Sequence, residues 1–159
     1  MKLRVLAVGN RLPAWVNAGF EEYARRMPRE MPVSLTEIKP EPRHGKASAA
    51  AVGKLVQLEH TRITAGLPAG AMCVVLDERG KGFTSIELSK RMVRWRESGR
   101  DVAFVIGGAD GTAAALKQDA DLLWSLSTLT LPHGLARIVL AEQLFRAASI
   151  LSGHPYHRE

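Results

Sequence analysis

The last six residues, His154–Pro155–Tyr156–His157–Arg158–Glu159, place a phenol, an imidazole, a guanidinium and a carboxylate at four consecutive positions. These groups suit proton transfer and the holding of an anion. An imidazole is neutral near pH 7 and can accept a proton, and a guanidinium offers a fork of donors to a phosphate or an anionic base. Upstream, His133, Arg137, Glu142 and Arg146 offer the same chemistry. The candidates for a general base are therefore His133, Glu142, Tyr156, His157 and Glu159. Arg137, Arg146 and Arg158 are the candidates for holding phosphates or stabilising an anionic base. Glu142 and Arg146 stand four apart in a helical pattern, and pairing with each other is the favoured reading of Glu142. A polar terminus is usually frayed and functionless. The chemistry crowded into this one argues instead for a tail that reaches a pocket and forms part of an active site, together with a partner subunit. A metal site built from His133, His154, His157 and Glu159 is disfavoured, because a histidine pair in coil is a loose ligand spacing and structural zinc without cysteine is unusual.

Two further segments have the composition of a ligand site. Gly107–Gly108–Ala109–Asp110–Gly111 follows an apolar run, and paired glycines after a strand let a ligand approach the backbone closely. Ser125–His133 (SLSTLTLPH) is rich in small hydroxyl residues and leucines. Its backbone groups can hydrogen-bond a purine while the leucines pack on the ring. A tight turn and a proline-marked helix start account equally well for the two patterns. Neither the G-x-G-x-x-G fingerprint nor a P-loop is present, so an unphosphorylated nucleoside fits better than a nucleotide.

The elements that position these residues follow from periodicity and punctuation. Lys2–Val8 is a first strand ended by Gly9 and Asn10. Pro13 opens a helix whose apolar stripe is Trp15, Val16, Gly19, Phe20 and Tyr23. Val33–Ile38 is a second strand, and Lys39–Lys46 is a basic loop. A helix over about 47–65 leads to a strand at Met72–Leu76, and Asp77–Gly82 (DERGKG) reads as a turn. Thr84 or Ser85 caps a helix that ends at Gly99. Val102–Ile106 is a continuous β-branched and aromatic run, the mark of a central parallel strand buried on both faces. A short helix over 112–120, the apolar Leu122–Leu126 and a long helix from about Gly134 to Leu151 complete the chain. Strands alternate with helices throughout, which predicts a single α/β domain over residues 1–159 with a mostly parallel sheet flanked by helices. Ligands then bind beyond the carboxyl ends of the strands.

The 159 residues, 46% of them hydrophobic, are enough for one domain with a sizeable core. The formal net charge of +6 fits a polyanionic partner. Cys73 is the sole cysteine, so no internal disulfide is expected, and a buried, inert thiol is its expected state. Charges interrupt the N-terminal Met1–Arg4, and no apolar run approaches the roughly 20 residues of a membrane span. A cytoplasmic protein without membrane association is expected.

Taken together, Leu76–Asp77 before a glycine-containing loop, Ile106–Gly107–Gly108–x–x–Gly111, the block Trp124–Ser125–Leu126–Ser127–x–Leu129–Thr130–Leu131–Pro132–His133 and the tail His154–Glu159 closely resemble the ribosomal large-subunit methyltransferase H family of the SPOUT superfamily. Lys2–Leu3, Ala7–Val8–Gly9 and Glu22–Tyr23 look like that family's first strand and helix, so the resemblance covers the whole chain. It implies a C-terminal trefoil knot, against the general topology rules, and a homodimer. It implies S-adenosylmethionine as cofactor and methylation at N3 of a pseudouridine in 23S ribosomal RNA. By the same resemblance Leu76, Gly108, Ser127, Thr128, Leu129, Thr130, Leu131 and Pro132 line the cofactor pocket. The catalytic candidates are His133, Arg146, Tyr156, His157 and Arg158, and no metal is expected. Gly153 departs from the family, where a larger polar residue is expected.

Methyl transfer from a sulfonium depends mainly on positioning, with a base needed for the weakly acidic imide proton. A chain with no appended RNA-binding module must borrow recognition from a large shaped target. The assembled ribosome is therefore the expected substrate, with Lys2, Arg4, Arg11, Arg25 and Arg26 meeting phosphates. The rival readings are a non-catalytic RNA-binding module and a SPOUT enzyme acting on another RNA.

Overall fold

A computed structural model describes residues 1–43, 45 and 48–158, the side chains of His157 and Arg158 excepted. Five strands form one wholly parallel sheet in the order β2-β1-β4-β3-β5. They are β1 (Leu3–Val8), β2 (Val33–Ile38), β3 (Met72–Gly82), β4 (Val102–Ile106) and β5 (Leu122–Ser125). The helices are α1 (Ala14–Ala24), α2 (Ala49–Gly66), α3 (Ser85–Glu97), α4 (Ala114–Asp119) and α5 (His133–Ser152), and a 3-10 turn, Pro155–Arg158, closes the chain.

Every residue of β4 is buried, as a strand covered on both faces requires. Alternation along β1 sends Leu3, Val5 and Ala7 to one face, where α1, α3 and α5 contribute Phe20, Leu88, Met92, Trp95, Leu140 and Leu144. Leu6 and Val8 point to the other, against Ile63 of α2 and Leu116 of α4. The result is three layers with the sheet in the middle. Thr84, not Ser85, caps α3: its hydroxyl accepts from the Glu87 N–H while the Glu87 carboxylate accepts from the Thr84 N–H.

Three expectations need correction. Asp77–Gly82 belongs to β3 and is more than a turn. Leu76 and Lys81 both pair with Trp124, so residues 77–80 step out of the ladder and the strand then resumes alongside β5. A Cβ at Gly80 would stand 2.6–2.8 Å from backbone atoms of Leu123 and Trp124, so only glycine lets these two backbones touch. Arg137 is fully buried and unavailable to phosphates. Lys2 precedes β1 and Arg4 is its second residue, both at the amino edge of the sheet, with the Arg4 Nε buried. Cys73 is half-buried, and burial first, then Asp121, pushes its thiol pKa up. No helix among the described residues is long and apolar enough to cross a membrane.

Candidate functional site

A cleft of about 830 Å³ opens at the carboxyl ends of β3, β4 and β5, within the size range of small-molecule sites. Of the residues expected to line it, Leu76, Gly108, Ser127, Leu129, Thr130, Leu131 and Pro132 do so, and Thr128 does not. His133 lines it too.

The floor is the turn Gly107–Gly111, closed by a bond from the Gly111 N–H to the Gly108 carbonyl. A Cβ at Gly108 would lie 2.7 Å from Glu59 Oε2 and 3.1 Å from Val8 Cγ1. The turn thus sits hard against the structure behind it, leaving the open side for a ligand. Ser127 shapes the opposite wall. Its carbonyl accepts from the Ser125 hydroxyl at 2.8 Å, and its own hydroxyl accepts from the Leu129 N–H at 2.9 Å.

His133 is the first residue of α5, and its Nδ1 lies 3.0 Å from the Gly107 carbonyl oxygen. A carbonyl only accepts, so Nδ1 carries a hydrogen and Nε2 is the nitrogen left to accept a proton. Asp77 also lines the cleft, paired with Lys117 of α4 and accepting from the Arg79 N–H at 2.9 Å. Burial raises its carboxyl pKa, but Lys117 and the Arg79 N–H outweigh that and hold it below the usual value.

The other catalytic candidates form a second cluster, outside the cleft. Glu142 Oε1 accepts from Arg146 Nε at 2.8 Å and from the Tyr156 hydroxyl at 3.1 Å, and its Oε2 accepts from Gln143 at 2.6 Å. The expected Glu142–Arg146 pairing is present, which leaves Glu142 engaged and no free base. Tyr156 packs on Phe145 at 4.8 Å between centroids, with the guanidinium of Arg146 at 4.8 Å and that of Arg26 at 5.0 Å from its ring. Burial, then its neighbours Tyr23 and Glu142, push the Tyr156 phenol pKa up, so the phenol is a donor at physiological pH. Gly153, where the resemblance implies a larger polar residue, is the C-cap of α5. It takes a left-handed conformation (φ 68°), and bonds from Gly153 to Ile150 and from His154 to Ser149 end α5 and fold the tail back onto Phe145. Glu159 and the side chains of His157 and Arg158 lie outside the described residues. Among the described residues no group of three or more metal-type ligands converges; His154 Nδ1 accepts from the Tyr156 N–H instead.

His133 and Arg146 are thirteen residues apart on α5, about 20 Å along the axis. Within the chain the two groups do not form one site.

The family described as Predicted SPOUT methyltransferase matches residues 1–157. A protein of Laribacter hongkongensis named ribosomal RNA large subunit methyltransferase H is 53% identical over 159 residues, the full length of both chains. The chain belongs to the methyltransferase H family of SPOUT methyltransferases. A relative of the same name from Burkholderia mallei is 53% identical over 99% of each chain. The SPOUT fold extends to distant solved structures. A methylase family protein from Neisseria gonorrhoeae superposes with a TM-score of 0.51 at 13% identity, over 90% of this chain and 81% of its own. One from Haemophilus influenzae does so with a TM-score of 0.53 at 12% identity, over 98% and 68%.

Three features of this methyltransferase go unpredicted from the sequence: the Asp77–Lys117 pair, the burial of Arg137, and a buried Glu59 behind Gly108. Arg137 donates to Glu37 at 2.8 Å and to the Gly9 carbonyl at 2.7 Å, a tie from α5 to the ends of β1 and β2. For Glu59 a signal existed, since it stands four residues before buried Ile63 on one face of α2.

Proposed function

We propose that the chain transfers a methyl group from S-adenosylmethionine to N3 of a pseudouridine in 23S ribosomal RNA, acting as a cytoplasmic homodimer on the assembled ribosome. The cleft carries this reading. Its floor is the Gly107–Gly111 turn and its wall the Ser127–Pro132 loop, in a chain 53% identical over its length to a protein named ribosomal RNA large subunit methyltransferase H. The exposed backbone of the two loops suits an adenine edge, and Leu76, Leu129 and Leu131 suit its faces.

When bound, S-adenosylmethionine supplies an electrophilic methyl group. The chain's own part is to orient the nucleotide, exclude water and remove the imide proton. His133 takes that proton in this reading, which is supported by the Gly107 bond that holds its tautomer with Nε2 as acceptor. His133→Ala is expected to lower kcat by about 10²–10⁴-fold while cofactor affinity stays near wild type, as equilibrium dialysis with labelled S-adenosylmethionine would show.

The tail completes the site across a dimer interface, with Arg146, Tyr156, His157 and Arg158 delivered to the partner's cleft. Two observations support this: the 20 Å separation along α5, and the exposed side chains of Trp15, Leu129 and Leu135, 56%, 73% and 40% accessible. Apolar groups so exposed suit burial by a second copy. The chain also threads β5 through the loop of residues 77–82 as a trefoil knot. The backbone contact of Gly80 with Leu123 and Trp124, and the double pairing of Trp124, support this reading.

The deciding experiment is transfer of labelled methyl from S-adenosylmethionine to purified ribosomes lacking the modification, with free ribosomal RNA and transfer RNA alongside. Label on a large-subunit pseudouridine, in ribosomes alone, is expected. No label on any RNA from a folded dimer would favour a non-catalytic RNA-binding module.

A further inference from the structure

Glu59 is 2% exposed, and its carboxylate lies directly behind the floor of the cleft, where a Cβ at Gly108 would meet it. Such a carboxylate is tolerated only if it is paired and its oxygens are hydrogen-bonded. Arg43, from the loop between β2 and α2, supplies the pair. Its guanidinium bonds Glu59 Oε1 through one terminal nitrogen and Oε2 at 3.3 Å through the other, while the Glu41 N–H donates to Oε1 at 2.9 Å. The same guanidinium reaches Asp110 Oδ2 at 3.0 Å from Nε. Asp110 sits at the tip of the Gly107–Gly111 turn and lines the cleft, whereas Arg43 does not line it. One planar cation therefore spans the carboxylate behind the turn and the carboxylate at its tip.

We propose that Arg43 is a positioning residue for the ligand site: by gripping Glu59 and Asp110 together it holds the Gly107–Gly111 turn in its ligand-accepting shape. The inference rests on the reading that the cleft takes S-adenosylmethionine. The grip needs a fork. Lysine, a point charge, cannot bond both oxygens of Glu59 and reach Asp110 at once.

The test uses the full chain and three variants: Arg43→Met, Arg43→Lys and the double variant Arg43→Met/Glu59→Gln. Each is measured by calorimetric titration with S-adenosylmethionine, by melting temperature and by amide exchange without ligand. Arg43→Met should melt lower, because a buried charge has lost its partner, and its Kd should rise about tenfold. Arg43→Lys should not restore the affinity. The double variant removes the stranded charge, so it should regain most of the melting temperature yet keep the raised Kd, with faster exchange at the Gly111 amide. It carries the test even if Arg43→Met fails to fold. Wild-type Kd and wild-type exchange in the double variant would overturn the proposal and leave Arg43 a stabilising residue only. Failure of the unmodified protein to bind S-adenosylmethionine would overturn the cofactor reading, and the amide exchange would still decide whether Arg43 holds the turn.

Discussion

Tyr156 and Asp77 are both pulled from their ordinary titration, in opposite directions. The raised Tyr156 phenol stays protonated through the range where a free tyrosine, with a pKa of about 10, begins to ionise. The absorbance change near 295 nm up to about pH 10 should therefore be the same in wild type and Tyr156→Phe. A smaller change in the variant would mean that the tail is not packed on Phe145 and Glu142. Asp77 has a depressed folded-state pKa. Its contribution is thus fully present above the unfolded value of about 3.9 and is lost as pH falls through the lower folded one. Lys117→Met should cost about 1 kcal/mol of unfolding free energy at neutral pH, and the gap to wild type should close below about pH 4. Denaturant melts at pH 7 and at low pH would measure it.

At the scale of elements, the strands and helices were largely legible, because their signals are local. Val102–Ile106 could be recognised as a buried parallel strand, and Gly99 as the end of α3, from composition alone. The second half of β3 was not legible: Asp77–Glu78–Arg79–Gly80 has the composition of a turn, and only contact with the distant strand β5 returns Lys81 and Gly82 to the ladder. The same long-range dependence hid the site's supports. Arg137 stands three, four and seven residues before Leu140, Ala141 and Leu144 on the buried face of α5, but what compensates its charge is not local, since its partners Glu37 and Gly9 are 100 and 128 residues away. The cleft-lining loops were legible because glycine pairs and hydroxyl-rich runs carry their chemistry in their own composition. Gly80 and Gly82 give a paired test of the β3 excursion. Gly80→Ala drives a Cβ into the backbone of Trp124 and should destabilise by about 1–3 kcal/mol or more. Gly82→Ala, with nothing within 4 Å, should be nearly neutral. Equal melting temperatures would remove the close contact between β3 and β5.

For the whole molecule, the separation of His133 from the Glu142–Arg146–Tyr156 cluster makes a quantitative prediction about assembly. If each active site takes its cleft from one subunit and its tail from the other, His133→Ala and Tyr156→Phe damage different halves. A heterodimer of the two retains one intact site out of two. Mixing and refolding equal amounts should then give about a quarter of the wild-type rate, although each variant alone is nearly inactive. A mixture no more active than its components would overturn the shared site.

The tie between Arg137 and the ends of β1 and β2 bears on how the protein is made. The carboxylate of Glu37 and the carbonyl of Gly9 wait for a residue translated 100 and 128 positions later, and the layer over Leu3, Val5 and Phe104 is incomplete until Leu140 and Leu144 arrive. Synthesis from the N-terminus favours early folding only where early residues can satisfy one another. Here they cannot. The nascent chain must stay incompletely folded until α5 has cleared the exit tunnel, because only then can Arg137 close its tie to Glu37 and Gly9.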